Sequence, residues 1–208
     1  MLTSRYKPFF NRLLNPMATA VVRSGISPSA LTLAAPALTA LICWWFLRHP
    51  YPLLFCFAMA GVGLLDALDG AVARAGGRVT AVGAYLDAMC DRYVDVMAAL
   101  AVAAVTGYWM LCMVALTGGL LVSYAKARAA MEAPVSNLEW PDLMERAERG
   151  SLFLAGLAAG TVVPWRPLGR DLFWWTLLVL CVLTHATVVQ RMMRAARLIS
   201  ARRASSPR

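Results

Sequence analysis

Residues 96–125 carry no charged side chain. A run of that kind is too apolar for an exposed loop and too long for one membrane crossing, which takes about 20 residues. Thr106-Gly107 is the break its turn chemistry suggests, so two spanning helices are expected to meet there. The rest of the chain has the same character. Of its 208 residues 60% are hydrophobic and only 15% charged, whereas soluble domains have about 25% charged residues; mean hydropathy is +0.62. This excludes an ordinary soluble domain and leaves one polytopic membrane domain with no room for a second.

Further spans are expected at 31–47, ending at the turn Arg48-His49-Pro50-Tyr51-Pro52, and from 53 toward Arg74. Another must begin near Ala81, because too few apolar residues remain between Asp95 and Thr106 to cross a bilayer. After the span ending at Tyr124-Ala125-Lys126 comes the long polar loop 127–148, punctuated by Pro134 and Pro141, and then a polar helix at 144–150 that enters a short span at 151–163. The last span covers 172–189. The expectation is an all-α integral membrane protein of six transmembrane helices: an interfacial amphipathic helix at 1–24, a six-span domain at 25–197 and a basic disordered tail at 198–208. Asn15 and Pro16 interrupt the N-terminal apolar run, which argues against a signal peptide.

Six spans put both termini on one side. Of the 20 Lys and Arg, the opposite loops hold only Arg48, Arg166 and Arg170. The positive-inside rule makes the basic side cytoplasmic, in a cell (inner) membrane. The formal net charge of +9 then matches an anionic leaflet and phosphorylated substrates, with no nucleic acid implied. Five cysteines are scattered through apolar segments without a C-x-x-C, and read as small buried hydrophobes.

Against this background, four aspartates stand out in residues 66–91, DALDGAVARAGGRVTAVGAYLDAMCD. Asp66 and Asp69 are three apart and Asp87 and Asp91 four apart, so each pair shares a helix face. Gly76-Gly77 and then Thr80 read as a helix stop followed by an N-cap. The result is a helical hairpin in which four carboxylates converge. They cannot all stay ionised there without cations, and an all-oxygen site suits Mg²⁺ or Mn²⁺.

The run D-x2-D-G-x2-A-R-x8-G-x3-D-x3-D resembles the signature of the CDP-alcohol phosphotransferase family, membrane enzymes that move a phosphoryl-alcohol unit from a CDP-linked donor to an acceptor hydroxyl. The resemblance implies two divalent ions held by Asp66, Asp69, Asp87 and Asp91, with Asp91 also the general base. It places the CDP donor at Asp69, Gly70, Ala73, Arg74 and Gly83. Close helix packing would equally explain the two glycines. Pro28-Ser29-Ala30-Leu31-Thr32 is similar to a shorter nucleotide-side motif, which adds Ser29 and Thr32; a plain N-cap would account for them as well. Asp95 continues the Asp87–Asp91 face outside the signature, and a partner arginine is expected for it.

Three local matches, at 123–129, 145–149 and 190–191, are similar to bacterial phosphatidylinositol phosphate synthases. They imply that Lys126, Arg149 and Arg191 bind the phosphate of an inositol phosphate acceptor. An i,i+4 pair between Glu145 and Arg149 and snorkelling at Lys126 and Arg191 are the plainer readings. The implied activity is transfer of a phosphatidyl group from a CDP-linked lipid to inositol phosphate with release of CMP, in a homodimer. Glycerol 3-phosphate, serine or another alcohol are alternative acceptors, and a divalent-cation transporter is the alternative of another class.

Overall fold

The computed structural model describes residues 14–132 and 143–205. They form helices at 14–23 (α1), Pro28–Arg48 (α2), Pro52–Ala75 (α3), Ala81–Thr106 (α4), Trp109–Glu132 (α5), Arg146–Val162 (α6) and Leu172–Ser205 (α7), with a 3₁₀ turn at Pro167–Gly169 and, among the described residues, no strand. Residues 1–13 of the expected interfacial helix and residues 133–142 of the polar loop, Pro134 and Pro141 included, lie outside the described residues.

The helix ends follow local chemistry. Gly76 closes α3 and Gly77 takes φ +62°. Thr80 then caps α4, its hydroxyl accepting from the Gly83 N–H at 3.0 Å. Gly107, at φ +76°, stops α4 where the uncharged run was expected to break. In such left-handed positions glycine avoids the Cβ penalty. At α2 the structure corrects the sequence reading. Ser27 is the N-cap, accepting from the Ala30 N–H at 3.2 Å, while Pro28 starts the helix and Ser29 lies within its exposed first turn. Proline suits that first position because its missing N–H had no intrahelical partner to lose.

A second correction concerns the tail. α7 stays helical to Ser205, so residues 198–205 continue the helix that was expected to give way to disorder. Leu198, Ala201, Arg202, Arg203 and Ala204 are all good helix formers, and neither glycine nor proline intervenes before Pro207.

Among the described residues four helices, α2, α3, α5 and α7, are long and apolar enough to cross a membrane. Acidic and basic residues at Asp87, Asp91, Arg92 and Asp95 dilute the first half of α4, and α6 has only 17 residues. Both therefore look less like spans than their neighbours. α2 packs against both α3 and α4, α5 joins α4 to α7, and α6 lies between α7 and α3. One main core gathers Phe46, Phe55, Val102, Cys112, Phe173 and Leu177. These come from the C-terminal ends of α2 and α4 and the N-terminal ends of α3, α5 and α7, all remote from the hairpin turn. Near that turn a smaller cluster seats Leu14 and Ala18 of α1 against Leu68, Ala71 and Val72 of α3. The cysteines are free, and all but the half-buried Cys56 are buried, as expected of small apolar side chains.

Candidate active site

α3 and α4 scarcely touch through their backbones near the site, because α2 packs on both. The gap between them is bridged by acidic side chains. Asp66 from α3 and Asp87 and Asp91 from α4 bring carboxylate oxygens within 4.8 Å of one another. Three of the four signature aspartates thus converge as their spacing predicted. Asp69 does not join this group. It is buried, and the Thr32 hydroxyl of α2 donates to its Oδ2 at 2.6 Å. Thr32 therefore orients an acid on the neighbouring helix, a role its position in the sequence could not reveal.

Three carboxylates this close need positive charge. Among the described residues it comes from Arg146, at the start of α6. Its guanidinium lies 2.8 Å from Asp91 Oδ1, 3.4 Å from Asp66 Oδ2 and 3.2 Å from Asp95 Oδ1, and it also donates to the Asp91 carbonyl at 3.4 Å. Arg92 stands on the other side, 3.8 Å from both Asp91 and Asp95, and donates to the Ser123 hydroxyl of α5 at 2.6 Å. Asp95 thus has arginine partners, as expected. The sequence assigns Arg146 no role of its own, because it is remote from the aspartate signature and belongs to no periodic pattern with it.

The donor-motif residues line the same hairpin. The Arg74 guanidinium lies close over Gly70, where a Cβ would come within 3.2 Å of its Nη1. A Cβ on Gly83 would stand 3.0 Å from the Thr80 hydroxyl, so this glycine also makes room for the cap of α4. Ala73 is half-buried, and its carbonyl accepts the Arg78 N–H at 2.9 Å as the chain turns.

The three expected phosphate-binding cations come from three helices and follow α5. Arg191 of α7 is buried and donates to the Val122 carbonyl. The Arg149 Nε lies against Gly119, 3.7 Å from where a Cβ would be, while its Nη1 donates to the Met144 carbonyl at 3.0 Å. Lys126 is one turn beyond Val122 on α5 itself. Arg92, Arg146 and Arg191 are near enough for their like charges to act on Arg149, with Asp95 as the opposing acid. Arg149 and Arg191 therefore stand with Arg92 and Arg146 beside the carboxylates, and Arg92 also reaches Ser123 of α5.

The family model for CDP-alcohol phosphatidyltransferase matches residues 25–186. The chain belongs to that family. Several named proteins are similar to it. The phosphatidylinositol phosphate synthase of Mycobacteroides abscessus is 36% identical over 200 residues, covering 88% of this chain and 83% of that one. The archaetidylinositol phosphate synthase of Aeropyrum pernix is 36% identical over 159 residues, 74% of this chain and 79% of that protein. Among solved structures, Mycobacterium tuberculosis phosphatidylinositol phosphate synthase with CDP-DAG bound superposes with a TM-score of 0.77 at 25% identity, over 88% of this chain and 94% of that one. The same enzyme in complex with manganese and citrate gives a TM-score of 0.76 over 88% of each chain.

Proposed function

We propose that this CDP-alcohol phosphatidyltransferase moves a phosphatidyl group from a CDP-linked lipid to the hydroxyl of inositol phosphate. The observation that carries the reading is the junction of two unlike sites. The carboxylates of Asp66, Asp87 and Asp91 lie within 4.8 Å of one another, and Arg92, Arg146, Arg149 and Arg191 gather beside them. The phosphatidylinositol phosphate synthases among the relatives, with their CDP-DAG and manganese complexes, support the same assignment.

Asp66, Asp87 and Asp91, with Asp69 held by Thr32, fit Mg²⁺ or Mn²⁺, because every donor atom they offer is a hard carboxylate oxygen. Two such ions, when bound, would neutralise the pyrophosphate of the donor. Gly70, Ala73, Arg74 and Gly83 then hold the CDP portion on the hairpin, with Ser29 and Thr32 at the nucleotide side. Lys126, Arg149 and Arg191 take the acceptor phosphate and orient its hydroxyl toward the donor. Asp91 removes the hydroxyl proton. The new bond forms between that oxygen and the phosphatidyl phosphorus as the bond to CMP breaks, so CMP departs with the electron pair.

The same reading counts α4 and α6 as spans. α4 has 26 residues and reaches about 39 Å, and its acids face an aqueous site at one end. Both termini and the hairpin turn belong on the cytoplasmic side of the inner membrane by the positive-inside rule, and the active unit is a homodimer by resemblance.

The test is CMP release by the purified enzyme with CDP-diacylglycerol and a panel of acceptors. Inositol 1-phosphate should be used best. Preference for serine or free inositol would sink the phosphate pocket, and preference for glycerol 3-phosphate would keep the pocket and discard the inositol.

A further inference from the structure

Asp95 lies outside the family signature, yet it has the most specific contact at the site. Arg146 approaches it side-on, with Nη2 at 3.2 Å from Oδ1 and Nε at 3.5 Å from Oδ2. That two-point geometry fixes the plane of a guanidinium, which a single contact would leave free to turn. Nη1, the remaining nitrogen, then points at Asp91 Oδ1 and Asp66 Oδ2. Arg146 is the first residue of α6, and Arg149 is one turn further along the same helix. Asp95 is one turn beyond Asp91 on α4. The contact therefore joins the helix bearing the proton acceptor to the helix bearing a phosphate-binding arginine. Arg146 also reaches Asp91 of α4, at 2.8 Å to its Oδ1 and 3.4 Å to its carbonyl, but only Asp95 takes two of its nitrogens on one carboxylate. Elsewhere at the start of α6, Glu148 accepts the Glu145 N–H at 2.9 Å, and Leu143 donates to Gln190 of α7 at 3.2 Å.

We propose that Asp95 is a positioning residue. It holds Arg146 at the start of α6 and thereby sets the distance between the carboxylate cluster and the acceptor-phosphate cations. Asp95 touches neither substrate in this scheme. It acts through Arg146, and what it determines is where Arg149 stands when the acceptor hydroxyl meets Asp91. The inference rests on the acceptor pocket proposed above.

Steady-state kinetics in both substrates test it, with Asp95→Asn, Arg146→Gln, the double variant and Arg149→Ala. Asp95→Asn should raise KM for inositol 1-phosphate about fivefold with little change in KM for CDP-diacylglycerol. In an Arg146→Gln background the same substitution should add much less than it does alone, because the two-point partner is already gone and only Arg92, at 3.8 Å, remains. Asp95→Glu should restore most of the loss. Independent, additive effects, or equal damage to donor and acceptor KM, would overturn the inference. If Asp95→Asn does not yield folded protein, Arg146→Lys serves instead: it keeps the charge, loses the two-point contact, and should raise acceptor KM about threefold. The two readings fail differently. An unchanged acceptor KM in Arg149→Ala removes the pocket itself, whereas a raised KM there beside unaffected Asp95 and Arg146 variants removes only this positioning role.

Discussion

The two ends of the helix bundle are built on opposite principles. At the end remote from the hairpin turn, Phe46 and Phe55 stack at 4.3 Å, and Val102, Cys112 and Leu177 are fully buried around them. There α6 and α7 approach so closely that a Cβ on Gly156 would fall 2.4 Å from the Thr176 Cγ2. At the other end the buried residues include Asp69, Thr32 and Arg191, and α3 and α4 are linked by carboxylates and Arg146 where the first end is closed by side-chain packing. Lipid is as apolar as leucine, so helices in a membrane associate through close packing and interhelical hydrogen bonds. Close packing dominates at the first end and polar contacts at the second. The packed end can hold the helices while the other gathers carboxylates and arginines, the groups a site for ions and phosphates requires.

This contrast predicts that substitutions at one end change chemistry and those at the other change stability. The largest effect should come from metal. Stripping divalent ions with a chelator should abolish CMP release, and Mg²⁺ or Mn²⁺ should restore it. Asp91→Asn should lower kcat by about two to four orders of magnitude even with metal present, while its thermal midpoint stays near that of the parent. Full turnover after thorough chelation would break the contrast at its centre.

Arg149→Ala comes next. Losing one charge-assisted contact should cost about 1.5–3 kcal/mol, or roughly ten- to a hundredfold in kcat/KM for inositol 1-phosphate. Donor KM should be nearly unchanged, since the proposed CDP site is on the hairpin. Arg149→Lys should also be impaired, because an ammonium cannot reproduce the guanidinium fork.

The smallest functional effect belongs to the packed end. Gly156→Ala forces a methyl group against Thr176 and should destabilise the protein by about 1–3 kcal/mol, seen as a lower thermal midpoint in detergent. Both KM values of the remaining folded enzyme should be unaltered. A shift in acceptor KM would mean that the two ends are mechanically coupled and the division drawn here is too sharp.

Much of this was legible in the sequence, for a physical reason. Where a helix stops depends on a few neighbouring residues, so Gly76-Gly77, Thr80 and Gly107 could be placed in advance. Which carboxylates share a face depends on helical periodicity, so Asp66 and the Asp87–Asp91 pair met as predicted. The apolar runs determined an all-helical membrane chain. The tail at 198–205 was misjudged because its charge suggested disorder while its residues favour helix.

Other features depended on which helices become neighbours. Thr32 reaches Asp69 only because α2 packs on α3, and Ser27 caps α2 because Pro28 follows it. Arg146 enters the acidic cluster because α6 packs against α3 with its first turn at the level of Asp66, Asp91 and Asp95. Arg149 and Arg191 both reach α5 only because α7 lies on α5 and α6 lies on α7. Helix ends and faces are matters of local hydrogen bonding and 3.6-residue spacing, which a sequence displays directly. Contacts between distant segments depend on the packing of whole helices, and only the tertiary structure decided them.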